Sequence, residues 1–175
     1  IDFLKDKEQT IIQNVLNDSS SLIAESFEGL RTSIMLSSGD NPLKTILISS
    51  IIPGEGKSSI SACLAITTAQ SGKKVLLIDA DMRRPVQHKN LNLENTSGLS
   101  SFLAGVSDAK GLELNSPIEN LDVITAGPIP PNPSELLDSK KFVSLLSDAS
   151  EIYDRIIIDT PPLASVTDPI ILSQH

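Results

Sequence analysis

The sequence is short of aromatic residues, cysteine and basic blocks, and each shortage removes a class of function. Aromatics make up 3% of the 175 residues, so a core has to be built from aliphatic side chains. Cys63 is the only cysteine. One thiol cannot form an internal disulfide, and such a chain fits a reducing compartment. The expected location is therefore cytoplasmic. No apolar run reaches the ~18 residues that a bilayer span requires. The first ten residues, IDFLKDKEQT, carry no basic-then-apolar leader pattern. No Lys/Arg block exceeds two residues, and 14 basic against 22 acidic side chains leave a net charge of -8. Nucleic-acid binders draw much of their affinity from a basic face that neutralises phosphate, so no nucleic acid is expected as a partner. There is no internal repeat and no low-complexity tract.

What is present is a regular alternation. The length suits one domain with one full core. Residues 1–19 are polar and read as an N-terminal lead-in or linker with at most a short helix; the domain proper is expected over 20–175. In 20–37, SSLIAESFEGLRTSIMLS, the residues Leu22, Ile23, Phe27, Leu30, Ile34 and Met35 recur at helical spacing, and SSGDNP ends that helix. Short apolar strands follow at KTILIS (44–49), KVLLID (74–79), LDVITAG (121–127) and DRIIIDT (154–160). Between them lie helical patterns: KSSISACLAITTAQSG ending at Gly72, GLSSFLAG, and PSELLDSKKFVSLLSDAS with Pro133 and Ser134 at its start. LASVTDPIILSQ reads as a last helix interrupted by Pro169. Strands alternating with helices predict an α/β, doubly wound, mostly parallel sheet with helices on both faces. Ligands in such sheets bind beyond the carboxyl ends of the strands. SIIPGEGKS, IDADMRRP and IDTPP all fall at such ends.

A strand, a glycine turn and then Lys-Ser opening a helix form a phosphate cradle. Gly54 and Gly56 let backbone amides converge on an anion, and the helix beginning near Lys57 points its positive end at the same place. Lys57 can reach terminal phosphates as a point charge, and Ser58 can offer a hydroxyl to Mg²⁺. Ile51 stands where the general phosphate-loop pattern has its first glycine, so the loop is a variant. In IDADMRRP, Asp79 and Asp81 leave a strand end two residues apart and share a face. Such a pair needs neutralising, by Mg²⁺ or by Arg83 and Arg84. In RIIIDTPP, Asp159 ends an apolar strand, the usual place for an acid that orients a metal's water shell.

PGEGKSS, IDADMRRP, GPIPPNPSELL and IIIDTPP, in that order, resemble the bacterial protein tyrosine kinases of capsule and exopolysaccharide assembly. These are P-loop NTPases related to the MinD/ParA type. The resemblance covers roughly residues 20–175 and implies an autophosphorylating, ATP-dependent tyrosine kinase. It implies that Pro53, Gly54, Glu55, Gly56, Lys57, Ser58 and Ser59 bind the ATP phosphates. Ser58 would ligate Mg²⁺, with Asp79 and Asp159 supporting its hydration shell. Asp81 or Asp79 would accept the tyrosine proton, and Arg83 would lie near the phosphates. It further implies a place at the inner face of the plasma membrane. The implied partners are a transmembrane activator or transmembrane segment of the same chain, protein tyrosine substrates, and other kinase protomers, phosphorylated in trans and able to form rings.

Three departures shape the expectations. The family's tyrosine-rich tail is not in the sequence, whose one tyrosine, Tyr153, precedes a buried strand and is expected to be structural. The C-terminal part of the domain and the tail are accordingly expected to lie outside this sequence. The family's Glu-x-x-Arg-x-x-Arg ring motif reads ESFEGLR here: Glu25 and Arg31 match, and Glu28 replaces the middle arginine. A Glu28–Arg31 pair on a solvated helix face is the competing expectation. Third, the positioning ATPases of cell division and DNA partition carry an extra lysine early in the loop, at a place held here by Ile52. Two other readings remain at this point: a positioning ATPase, and a non-catalytic, nucleotide-bound assembly module of a polysaccharide export complex. His88 and His175 lack metal-ligand spacing, and Cys63 is expected to pack as a small apolar residue.

Overall fold

The computed structural model describes residues 11–37, 43–108, 112 and 114–174. The elements run α1 (11–17), α2 (Leu22–Ser37), β1 (Thr45–Ile48), α3 (Lys57–Gln70), β2 (Val75–Asp79), α4 (Gln87–Asn90), α5 (Leu99–Leu103), β3 (Leu114–Asn115), β4 (Leu121–Ile124), α6 (Pro133–Leu137), α7 (Lys140–Ile152), β5 (Arg155–Asp159) and α8 (Asp168–Leu172). One sheet has the order β1-β5-β2-β4-β3. The four expected strands are its parallel members, and β3 adds an antiparallel edge beside β4 that the apolar pattern did not announce.

Both faces of the sheet are buried because its central strands are apolar on both faces up to their carboxyl ends, where Asp79 and Asp159 stand. Leu76, Ile78, Ile156 and Ile158 pack on one face with Leu99, Phe142 and Tyr153. Val75, Leu77 and Ile157 pack on the other with Ala62, Leu64 and Ile66 of α3. Side chains in a strand alternate faces, so Val75, Leu77 and then Asp79 project toward α3, as do Ile157 and then Asp159. This alternation carries the two strand-end acids to the face where the phosphate loop's helix lies. Cys63 packs in the same layer as a buried apolar residue, as expected.

Several local expectations are revised. The lead-in holds the short helix allowed for it, over 11–17, but that helix belongs to the core: Ile12 and Val15 are fully buried against the α3 side of the sheet. Residues 1–10 lie outside the described residues. The helical pattern from 133 to 150 divides in two: α6 ends at Leu137, and Ser139 caps a new helix by accepting a hydrogen bond from the Phe142 amide. Ser and Asp compete for backbone partners and favour such breaks. The last helix is shorter than its pattern, because Pro169 sits in its first turn and starts it rather than interrupting it. The preceding segment bonds instead to the phosphate loop's strand exit, Leu163 N to Ser50 O (2.8 Å) and Ala164 N to Ile51 O (3.1 Å).

Candidate active site

The site forms where β1, β5 and β2 end side by side. Ile48, Asp159 and Asp79 are register partners across these three strands. Gly54 and Gly56, in the loop leaving β1, have φ of +87° and +83°, a conformation that side chains disfavour. A Cβ built on either meets nothing within 4 Å, so the glycines serve the turn's shape and leave open space beside it. Gly56 caps α3 without any side-chain bond to the helix amides, and those first amides have no partner within the helix. Glu55 turns back on its own loop: its Oε2 accepts from Ile51 N (2.8 Å) and Ile52 N (3.1 Å), which makes its side chain a brace of the loop.

Lys57 extends from the first turn of α3 into the acids. Its Nζ donates to Asp81 Oδ2 at 2.8 Å, lies 3.7 Å from Asp159 Oδ1, and donates to Ser58 Oγ at 3.1 Å. Burial works to lower the Lys57 pKa, but Asp159 and Asp81 outweigh it, and the net shift is upward. The amine is therefore charged. Asp159 is buried and also accepts from Gln87 Nε2 at 2.8 Å. Asp79, also buried, accepts from the backbone amides of Asp81 (3.2 Å), Val86 (3.2 Å) and Gln87 (3.0 Å), so it organises the loop that follows β2. Burial raises the pKa of both Asp79 and Asp159. The Asp159 charge adds to the rise at Asp79, while Lys57 opposes it at Asp159. Two buried carboxylates in adjacent register, with one amine between them and Asp81, form a site that a further cation would relieve.

Of the residues singled out from the sequence, Lys57, Ser58, Asp79, Asp81 and Asp159 meet here. Arg83 is held elsewhere on the rim. Its Nε donates to Asp168 Oδ2 (2.9 Å), and its Nη2 donates to Asp168 Oδ1 (3.2 Å) and Ser134 Oγ (3.1 Å). Ser134 Oγ in turn donates to Asp168 Oδ1 at 2.6 Å. Burial acts to raise the Asp168 pKa, but the bonds from Arg83 and Ser134 outweigh it and hold the carboxyl below the usual range. Tyr153 is buried, with its hydroxyl donating to Asp122 Oδ2 at 2.9 Å, which is the structural role expected. The Glu28–Arg31 pair does not form; Arg31 Nη1 instead donates to the Thr67 carbonyl of α3 at 2.7 Å.

Sequence reasoning passed over Gln87, Asp168 and Ser134. Asp168 carried one usable signal, an acid followed by proline at a helix start. Gln87 carried none, because its partners are remote along the chain.

The residues fit a nucleotide phosphate with magnesium. Ser59 Oγ, on the helix turn after Lys57, is buried without a hydrogen-bond partner among the described residues, and an anion seated on that turn would satisfy it. Among the described residues no three His, Cys, Asp or Glu side chains form a metal cluster by themselves. The hydroxyl of Ser58 with phosphate oxygens and water is the donor set a Mg²⁺ ion takes in such loops.

A glycine turn feeding a helix with no side-chain cap, a buried lysine among strand-end acids and a mostly parallel sheet with β5 between β1 and β2 define a P-loop NTPase. A family model described as an AAA domain matches residues 43–174. The putative tyrosine-protein kinase CapB of Staphylococcus aureus is 45% identical over 163 residues, 93% of this chain and 72% of CapB. Tyrosine-protein kinase YwqD of Bacillus subtilis is 47% identical over 157 residues, 90% of this chain and 66% of YwqD. The crystal structure of the chimerical protein CapA2B2 superposes with a TM-score of 0.89 at 45% identity, covering 92% of this chain and 71% of that one. The chain belongs to the bacterial tyrosine-protein kinases, as a P-loop kinase domain. The septum site-determining protein MinD of Pyrococcus horikoshii complexed with Mg-ADP, at 23% identity and a TM-score of 0.64, shares the fold alone. Among the described residues no helix is long and apolar enough to cross a membrane.

Proposed function

We propose that this domain transfers the γ-phosphoryl group of ATP to tyrosines of neighbouring protomers and other proteins, in the service of capsular or extracellular polysaccharide polymerisation and export. The observation that carries the reading is the contact between the Lys57 amine and the Asp81 carboxylate at the mouth of the phosphate loop. The backbone of residues 53–59, with Ser59 Oγ, would seat the phosphates. Terminal phosphate oxygens would draw Lys57 from Asp81. The freed carboxylate would then accept the tyrosine proton as the phenolic oxygen attacks the γ-phosphorus and the bond to the β-phosphate oxygen breaks, leaving ADP. Tyrosine has an unperturbed pKa of about 10, so it needs such a base near neutral pH. Ser58, with Asp79 and Asp159 behind it, would hold Mg²⁺. When bound, the ion neutralises charge on the transferring group. Arg83 would act from the rim. The place of action is the cytoplasmic face of the plasma membrane, with a transmembrane activator or segment as partner.

The test is transfer from labelled ATP to a tyrosine-bearing acceptor peptide, with nucleotide binding measured in parallel. Lys57→Met abolishes binding and transfer. Asp81→Asn keeps binding within a few-fold and loses transfer by about 10²-fold or more. Full transfer by Asp81→Asn would remove the base assignment, and intact nucleotide binding without any phosphotyrosine would remove the kinase mechanism.

A further inference from the structure

We propose that Gln87 is a positioning residue that sets the magnesium requirement of the site by holding Asp159 against the backbone of Ser58, an inference that rests on the magnesium reading above. Gln87 opens α4 and is 0% exposed. The orientation of its carboxamide follows from its neighbours. One end lies 2.8 Å from Asp159 Oδ2 and 2.9 Å from the Ser58 carbonyl oxygen, both acceptors, so the nitrogen must face them. Its Oε1 accepts from Asn90 Nδ2 at 3.3 Å, which fixes the other end. Its own backbone amide donates to Asp79 Oδ2 at 3.0 Å. One buried residue thus touches both strand-end acids and the main chain of the serine whose hydroxyl would meet the ion.

The chemistry of a neutral amide matters here. It gives Asp159 Oδ2 a donor without adding charge, and leaves Oδ1 facing Lys57 and Ser61, at 3.7 and 3.4 Å. A lysine or arginine at this position would supply the cation permanently and remove the reason to bind another. An apolar side chain would leave Asp159 Oδ2 and the Ser58 carbonyl without this donor in a region shut off from water, where an unmet acceptor is costly. The carboxylate would then turn toward other donors and lose its set position. Partners one shell out from a metal's ligands typically change affinity by 10–100-fold when removed.

The experiment measures binding of a fluorescent ADP analogue to the full chain, in EDTA and across a Mg²⁺ titration. Gln87→Met conserves the side chain's length and removes its donors. The expected result is binding in EDTA within twofold of the unmodified chain, with the Mg²⁺ concentration for half-maximal enhancement raised about tenfold. Asn90→Ala, which frees Oε1 without touching the acids, shifts the same midpoint in the same direction by about two- to threefold, and decides the matter if Gln87→Met fails to fold. A folded Gln87→Met with an unchanged midpoint overturns the assignment, as does an unchanged midpoint in Asn90→Ala when Gln87→Met does not fold. Equal weakening with and without Mg²⁺ also overturns it, since that is the signature of mere packing. Absence of any Mg²⁺ enhancement in the unmodified chain overturns the magnesium reading itself, a result distinct from these.

Discussion

Asp168 offers a sharp test of how the rim of the site is held. Its carboxylate is buried and takes two bonds from the Arg83 guanidinium and one from Ser134, so it ties the loop after β2 to α6 and to the start of α8. Asp168→Asn keeps the shape and removes the charge. Hydrogen bonds to charged groups contribute about 1.5–3 kcal/mol. Breaking a fully buried pair costs more, about 3–5 kcal/mol, but the Arg83 side chain is 39% exposed and regains water when released. The lower range therefore applies, and about 2 kcal/mol is the expected loss at pH 7. For a domain of this size that lowers Tm by about 4–8 °C. The pH dependence gives the sign. The Asp168 pKa is depressed in the folded state, against about 3.9 in an unfolded chain. Its stabilisation is thus fully present above about pH 3.9 and lost as pH falls through the folded value. Urea unfolding of both proteins from pH 7 to pH 3 should show their difference narrowing below about pH 4. A difference that stays constant over that range, or one below about 0.5 kcal/mol at pH 7, would refute the reasoning.

Two further outcomes follow from the same physics. Burial pushes the Cys63 thiol up to about 12, so a thiol reagent at pH 8 should label the folded protein only as fast as it opens, and labelling should be immediate in urea; rapid labelling of the native chain would contradict the packing. Tyr153→Phe removes the bond to Asp122 and should cost about 1 kcal/mol in urea unfolding while leaving transfer to the acceptor peptide unchanged. Phosphotyrosine on the unmodified chain itself, whose one tyrosine is Tyr153, would make that residue an acceptor rather than a core residue.

Much of this protein was legible because the deciding physics is local. Apolar runs of strand length between helical patterns specified the four parallel strands, since strands buried on both faces cannot alternate with polar residues. The phosphate loop was readable for the same reason: the left-handed φ of Gly54 and Gly56 and the open end of α3 are properties of a few consecutive residues. Other features waited for the tertiary structure. That β5 lies between β1 and β2, bringing Asp159 beside Asp79, is a matter of register between segments 80 residues apart along the numbering. Helix α1 became part of the core because the α3 face of the sheet accepts Ile12 and Val15, although the surrounding sequence is polar. Arg31 chose the Thr67 carbonyl over its helical neighbour Glu28 because α3 lies within its reach. Gln87 and Asp168 acquired their roles only from partners that the chain brings back to them. Backbone conformation and face alternation are set by neighbours in sequence, whereas the partner of a buried polar side chain is set by whichever distant donor or acceptor the packed fold leaves beside it.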